Sequence, residues 1–155
     1  MNTSLRRKER AVSEEDALRI FDTAEYGVLS LSSDDEFPYG IPVNFARKDD
    51  ILYIHCAPEG RKIDCIKKNP KGSICAVGKT SVLPERLTLA YESAIAFGEM
   101  RLLDDENEKI AALTLIGIRF CPANPEKIRN SIEKLLHRTA VIEFKIIGIS
   151  GKRKI

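Results

Sequence analysis

The chain has 155 residues, a length that suits one domain with its own hydrophobic core and is short for two. Its 25 lysines and arginines nearly balance 23 aspartates and glutamates, and the formal net charge of +2 argues neither for bulk nucleic-acid binding nor for an acidic partner. Because no apolar stretch reaches the length of a membrane span and none follows the charged N-terminus, the sequence predicts a cytoplasmic protein with no membrane segment and no signal peptide.

The first predicted element is a helix over about 13–24, which follows a basic tail over 1–10. Ser13 supplies the N-cap hydroxyl of this helix, and three acids fill its first turn. A short strand is predicted over 28–32 and a polar turn over 33–36.

A second strand is predicted over 39–47, although it contains Pro42. Since proline cannot donate a hydrogen bond to a ladder, we expect this strand to be bulged or to have an exposed edge at Pro42. The pair Asp49 and Asp50 then makes a hairpin turn into an apolar strand over 51–57.

Gly60 follows this strand and opens a helix over about 60–68, which ends before Pro70. Arg61 and Lys62 lie in its first turn. Backbone N–H groups at a helix start and the helix dipole favour an anion, and two cations at the same place suit a phosphate. The alternative is a solvated amphipathic helix that binds nothing.

The rest of the chain is predicted to contain strands over 73–77, 88–103 and 139–149, helices over 106–116 and 126–136, a loop over 79–86 and a basic tail over 151–155. Gly98 is expected to mark a bend in the longest strand. About six strands with hairpin-length links favour antiparallel pairing. The chain is therefore predicted to be mainly β, a single domain over 1–155 built as a β-barrel with peripheral α-helices.

Four cysteines are present, Cys56, Cys65, Cys75 and Cys121. None forms a C-x-x-C pair, and only His55 and His137 could join them as soft ligands. We therefore expect free thiols in a reducing compartment and no metal site.

Five blocks of the sequence resemble, in order, the FMN-binding split barrel of the pyridoxamine 5'-phosphate oxidase superfamily, in particular its nitroimidazole-resistance (Nim) type. The blocks are RRKERAVSEEDALRIFDTAEYGVLSL, FPYGIPVNFA, LYIHCAPEGRKIDCIKKNP, YESAIAFGEMRLLDDENEKIAAL and VIEFKIIGISGK. They cover most of the chain, and HCAPEGRKID and YESAIAFG are the more specific parts. The resemblance implies an antiparallel Greek-key split barrel that forms a homodimer with FMN at its interface.

The resemblance also implies the cofactor-binding residues. They are Pro42, Val43 and Asn44 beside the flavin ring, His55, Cys56 and Ala57 near the ring and ribityl chain, Arg61 and Lys62 at the phosphate, and Ser93 on the adjacent strand. In the Nim-type branch the histidine lies near the flavin, so His55 is the candidate catalytic residue. The segment 116–126 departs from the family pattern, so the resemblance does not identify the substrate. His137 has no counterpart in that pattern.

The leading hypothesis is an FMN-dependent oxidoreductase that acts on small aromatic or nitro-aromatic acceptors, with NAD(P)H as the candidate donor. Since the cofactor carries the redox chemistry, no catalytic triad is needed. The alternative is a non-catalytic flavin-binding or haem-binding protein on the same barrel, with His55 or His137 as axial ligand. The third hypothesis is a nucleic-acid-binding barrel, which the two basic tails suggest. The sequence lacks the interleaved aromatic and basic residues that such a surface needs. A true pyridoxamine phosphate oxidase would need a basic C-terminal clamp that we do not find.

Overall fold

The computed structural model describes residues 3–33 and 37–155, so the turn predicted over 33–36 lies outside the described residues except for Ser33. The described residues form seven strands: β1 Gly27–Leu31, β2 Tyr39–Val43, β3 Ala46–Lys48, β4 Ile51–Cys56, β5 Lys71–Leu83, β6 Thr88–Leu102 and β7 Ala140–Lys154. The helices are α1 Glu14–Thr23, α2 Arg61–Lys68, α3 Glu106–Phe120 and α4 Pro125–Leu135, with short 3-10 turns at Lys8–Arg10, Pro84–Arg86 and Leu136–Arg138. The predicted mainly β fold with peripheral helices is confirmed.

All strand pairs are antiparallel and belong to one sheet in the order β2-β1-β5-β6-β7-β4-β3. The two edge strands, β2 and β3, are consecutive in the chain and are joined by Asn44 and Phe45 alone. The chain thus passes from one edge of the sheet to the other through two residues, which makes a barrel with a split between its edges.

The single strand predicted over 39–47 is therefore wrong, because this segment forms two strands at opposite edges of the sheet. The expected exposed edge at Pro42 is confirmed: Pro42 lies on β2, whose one partner strand is β1, opposite Val28. Proline suits this place because an edge strand leaves one side of its backbone without a ladder partner.

The hydrophobic core fills the barrel, and α1 packs against it. Ser13 caps α1 by accepting a hydrogen bond from the Asp16 N–H at 3.1 Å, as predicted. Phe21 of α1 is fully buried and meets Phe45 edge to face, with ring centroids 5.6 Å apart. Phe45 therefore turns into the core, which ends β2 and positions the start of β3.

The predicted loop over 79–86 is wrong, because β5 continues to Leu83 before a 3-10 turn. Its outer part, from Thr80 to Leu83, pairs with the start of β6 after a register shift that follows Val77. These outer residues are largely exposed and show no alternation of buried and exposed positions, so periodicity gives no sign of a strand.

The predicted basic tail over 151–155 is also wrong, because β7 extends to Lys154 and pairs with β6 as far as Tyr91. The tail is ordered because Arg153 donates to Glu92, a buried carboxylate, at 3.3 Å. The N-terminal basic segment is held as well, since Ala11 forms a β-bridge with Lys152.

The two helices that follow β6 extend to slightly different limits from those predicted. The helix predicted over 106–116 continues to Phe120, and the one predicted over 126–136 spans Pro125–Leu135. Within the described ranges, no helix has both the length and the apolar character that a membrane crossing requires.

The bend expected at Gly98 coincides with a register shift between β6 and β7. A Cβ atom at Gly98 would lie 2.2 Å from the Lys145 carbonyl oxygen, so the neighbouring backbone would have to move. We expect Gly98→Ala to lower the free energy of unfolding by about 1–3 kcal/mol in urea denaturation. Gly40→Ala is the matched control, because its Cβ would meet only Val28, at an ordinary 3.5 Å. Equal stability of the two variants would contradict the prediction.

Candidate functional site

The candidate site lies at the split of the barrel, where the end of β2, the end of β4 and the start of α2 meet. An open cavity of about 610 Å³ is lined there by Tyr26, Pro42, Val43, Asn44, His55 and Lys62. All of these except Tyr26 are among the residues predicted to bind the cofactor. Residues far apart in sequence thus converge because the barrel brings its two edge regions together.

The phosphate end predicted for this site is the start of α2. Gly60 precedes the helix with a φ of 110°, a left-handed value that favours glycine. Its carbonyl accepts hydrogen bonds from the N–H groups of Ile63 and Asp64. The helix predicted over 60–68 is confirmed, and its apolar face, which includes Ile63 and Ile66, is buried. This packing fixes Lys62 at the cavity.

Arg61 and Lys62 are adjacent in sequence but do not point to the same place. The Arg61 guanidinium lies 4.4 Å from the centre of the Tyr39 ring and donates to the Ser33 hydroxyl at 2.9 Å. Arg61 does not line the cavity, whereas Lys62 does. The structure therefore separates the two residues that were predicted to hold the phosphate together.

The cavity combines the cation of Lys62 with the imidazole of His55, and the Cys56 thiol, which is outside the lining, follows His55 in the chain. Burial lowers the pKa of His55, and the positive charge of Lys62 lowers it further. Burial raises the pKa of the Cys56 thiol, and Lys62 acts in the opposite direction. A neutral imidazole both donates and accepts hydrogen bonds, and a protonated thiol is a weak nucleophile. The arrangement suits a ligand with an anionic end and a neutral polar ring.

The depressed pKa of His55 leads to a test by NMR titration of its ring. We expect a pKa below 6.5 in the native protein, and a rise towards 6.5 in Lys62→Met because one of the two causes is removed. Because the pKa of His55 is lower in the folded protein, protonation of His55 opposes folding. His55 therefore has no effect on stability above pH 6.5, and it lowers the free energy of unfolding as the pH falls below 6.5. Lys67→Met, at the other end of α2, is the control and should leave the pKa unchanged. A pKa that is the same in Lys62→Met and the native protein would disprove the interaction.

Three other predicted residues do not line this cavity. Cys56 is half-buried and Ala57 is exposed, both directly after His55. Ser93 lies on β6, opposite Val77 and Lys152, on the face of the strand that points away from the barrel core. The strand order places β6 three strands from β2, about 14 Å at the usual spacing of about 4.8 Å. One chain therefore does not bring Ser93 to the cavity.

Sequence reasoning missed Tyr26 and Arg119. Tyr26 directly precedes β1 and is 55% exposed, and the signal available in the sequence was an aromatic residue shortly before a predicted strand. Arg119 lies 4.7 Å from the centre of the Phe45 ring and donates to the carbonyls of Phe21 and Ala24 at 3.0 and 2.5 Å. It thereby ties the end of α3 to the end of α1 and to the link between β2 and β3.

The described residues offer little for a metal ion. Within residues 3–33 and 37–155, no three histidine, cysteine or acidic side chains lie close enough together to hold one. The four cysteines are free. His137 lies in the 3-10 turn after α4 and is exposed.

Comparisons with known proteins identify the family. No curated protein matches the sequence significantly. Among solved structures, a putative 5-nitroimidazole antibiotic resistance protein from Bacteroides thetaiotaomicron matches with a TM-score of 0.75 and 21% identity, over 92% of this chain and 85% of that one. The flavocytochrome Anf3 from Azotobacter vinelandii matches with a TM-score of 0.84 and 20% identity, over 99% and 73%. An FAD and heme binding protein from Mycobacterium smegmatis matches with a TM-score of 0.81 and 22% identity, over 95% and 74%.

These likenesses show a shared fold, the split barrel that the sequence blocks predict. The family model described as pyridoxamine 5'-phosphate oxidase matches residues 13–153, which is most of the chain. The chain therefore belongs to the pyridoxamine 5'-phosphate oxidase family.

Proposed function

We propose that the chain is a flavin-dependent oxidoreductase that holds FMN in the cavity at the split of the barrel. The observation that carries this proposal is the convergence of Pro42, Asn44, His55 and Lys62 on one cavity of about 610 Å³. This volume lies within the roughly 300–1,000 Å³ typical of cofactor and ligand sites.

The lining residues fit the three parts of a flavin mononucleotide. Pro42, Val43 and Tyr26 provide an apolar wall for the isoalloxazine ring. Asn44 and His55 provide hydrogen-bonding groups for the polar edge of the ring. Lys62 and the N-terminal end of α2 provide positive charge for the phosphate.

The remaining predicted residues take supporting roles in this proposal. Arg61 adds positive charge beside the phosphate end while held against Tyr39. Cys56 and Ala57 connect His55 to the turn before α2, so we assign them backbone contacts along the ribityl chain. Ser93 would reach the flavin only from a second copy of the chain.

A homodimer with the flavin at its interface is supported by the outer face of the sheet. Strand register aligns Val28, Cys75 and Ile95 with Pro42 in one row on this face. Val28 and Ile95 are each 38% exposed, and Val77 beside them is 53% exposed. Contiguous exposed apolar residues are typical of an interface between subunits. This face borders the open cavity, so a second copy that covered it would also cover the flavin.

A bound flavin would supply the redox chemistry, namely transfer of two electrons from a donor such as NAD(P)H to an acceptor. For the acceptor we propose small aromatic or nitro-aromatic compounds, a class that fits the name of the Bacteroides relative. His55 is our candidate catalytic residue, since a neutral imidazole at the cavity can orient the acceptor and exchange a proton with it. The free thiols fit a reducing compartment such as the cytoplasm.

The absorption spectrum of the purified protein tests the proposal. We expect flavin bands in the visible range, either as purified or after incubation with FMN, and release of FMN rather than FAD on denaturation. Addition of NAD(P)H should bleach these bands, and a nitro-aromatic acceptor should restore them. A protein that takes up no flavin would disprove the proposal.

The alternative function is haem binding without catalysis. It is favoured by one observation, the neutral imidazole of His55 at the cavity, since neutral imidazole is a common ligand of iron. The same spectrum separates the two candidates, because haem gives a Soret band. A haem protein would also keep its pigment when Lys62 is replaced, because iron ligation does not depend on the phosphate end of the cavity.

A further inference from the structure

A second cavity lies beside the candidate flavin site, between α3, α4 and the end of β4. We call it the α3–α4 groove. Its volume is about 450 Å³, and its lining includes Ile116 and Phe120 from α3, Ile128 and Lys127 from α4, and His55. The lining is mostly apolar, and the groove is open to solvent on one side.

His55 lines both this groove and the candidate flavin cavity. A molecule in the groove and a cofactor in the cavity would therefore both lie against His55. Another cavity, of about 620 Å³, also lies between α3 and α4 and shares Ile128, Ile132 and Leu136 with the groove, but it includes none of the residues that line the flavin cavity. Continuity with the candidate site thus singles out the smaller groove.

The charge of the groove restricts what can bind there. Among the described residues that line it, Lys127 carries the one fixed charge, and no carboxylate is present. The larger cavity differs, because it is lined by Glu106, Glu133 and Arg129. An apolar groove with an aromatic wall at Phe120 and one lysine suits a flat apolar molecule with a single negative charge. The volume fits one or two rings, since it lies near the lower end of the roughly 300–1,000 Å³ typical of ligand sites.

We propose that the α3–α4 groove binds the acceptor substrate, a planar aromatic compound of one or two rings whose anionic group pairs with Lys127 and whose ring contacts His55. This inference rests on the proposed function, because it identifies the second reactant of the flavin. Lys62 lines the flavin cavity and does not line the groove, so the acceptor would lie apart from the phosphate end.

Calorimetric titration of the flavin-loaded protein with 2-naphthoate tests the proposal, with neutral 2-naphthamide as the matched probe. We expect 2-naphthoate to bind with a Kd below about 1 mM and more tightly than the amide.

Ser131, an exposed residue of α4 that lines the groove, provides a way to block it. Ser131→Trp should weaken binding of both probes at least about tenfold, whereas Asn130→Trp, on an adjacent exposed position, should not.

The charge is tested separately at Lys127. Lys127→Glu should weaken 2-naphthoate about fivefold or more and leave 2-naphthamide unchanged, because the pairing involves a partly exposed charge. Glutamate in the first turn is favourable for a helix, and the cap from Asn124 uses the backbone N–H of residue 127, so the variant should fold. Lys134→Glu, at an exposed position near the other end of α4, is the control.

A structural readout locates the bound probe. In the native protein, 2-naphthoate should shift the NMR signal of the His55 ring, and Ser131→Trp should abolish the shift. If the proposed function is wrong, the purified protein will contain no flavin, which is a different result from a failure of the groove to bind the probes. The same titrations on the flavin-free protein still test the groove. The inference is overturned if neither probe binds or if Ser131→Trp binds them as the native protein does. It is also overturned if Ser131→Trp dissociates a dimer in sedimentation analysis, which would make the groove an interface between copies.

Discussion

Replacement of Lys62 by alanine is expected to weaken FMN binding by roughly 10- to 100-fold, because a hydrogen bond to a charged group contributes about 1.5–3 kcal/mol. Lys62 is the cation that lines the cavity, and it lies in the first turn of α2, where the helix dipole adds to its charge. The two effects act on the same phosphate. Fluorescence titration of the apoprotein with FMN measures the loss.

Two further variants show whether the effect depends on position. Lys67→Ala, in the exposed last turn of α2, should bind FMN as the native protein does. Arg61→Ala should weaken binding less than Lys62→Ala, because the Arg61 guanidinium is held over Tyr39 and outside the cavity lining. A greater loss in Arg61→Ala than in Lys62→Ala would reverse the assignment of the phosphate ligand. Riboflavin, which lacks the phosphate, should bind all three variants with nearly equal affinity.

Phe45→Ala is expected to lower the free energy of unfolding by about 3–5 kcal/mol, the usual loss when a buried phenylalanine is truncated. Phe45 is 1% exposed, packs edge to face on Phe21 and lies under the guanidinium of Arg119. Its removal leaves a cavity in the core and removes the anchor of the link between the two edge strands. Urea denaturation measures the loss, and a thermal scan should show a lower Tm by about 2–4 °C for each kcal/mol.

The control for this variant is Phe37→Ala, because Phe37 is 73% exposed and should change stability by less than about 0.5 kcal/mol. Arg119→Leu should also lower the free energy of unfolding, but by less than Phe45→Ala, since it removes the hydrogen bonds to the carbonyls of Phe21 and Ala24. If Phe45→Ala lost less than about 1 kcal/mol, the link between β2 and β3 would not be anchored in the core.

The elements with strong local signals could be predicted from the sequence. Ser13 and the acids after it defined α1, and Gly60 with Pro70 defined α2. The break inside 39–47 could not be predicted. Ile41, Val43 and Phe45 continue one alternating pattern of core-facing positions across the break. The alternation of apolar residues along a strand indicates which face of the strand is buried. It does not indicate which neighbouring strand forms the backbone hydrogen bonds.

Part of the candidate site could also be predicted from the sequence. Pro42, Val43, Asn44, His55 and Lys62 were named from the residues and from the family resemblance, and the structure brings them together. The direction of Arg61 could not be predicted from its position beside Lys62. Successive residues on a helix point about 100° apart, so two adjacent cations need not reach the same target. Which of the two faces the cavity depends on how α2 packs, and that is a property of the whole fold.

The two-residue link between β2 and β3 allows the cavity to change in size while the stability of the sheet stays the same. Hydrogen bonding to β1 holds β2, and hydrogen bonding to β4 holds β3, so neither ladder depends on the distance between the two edges. A residue added beside Asn44 would lengthen the tether and widen the slot without altering any strand register. Relatives that accommodate bulkier ligands could evolve through insertions at this point, and an engineer could follow the same route with Phe45 retained as the anchor.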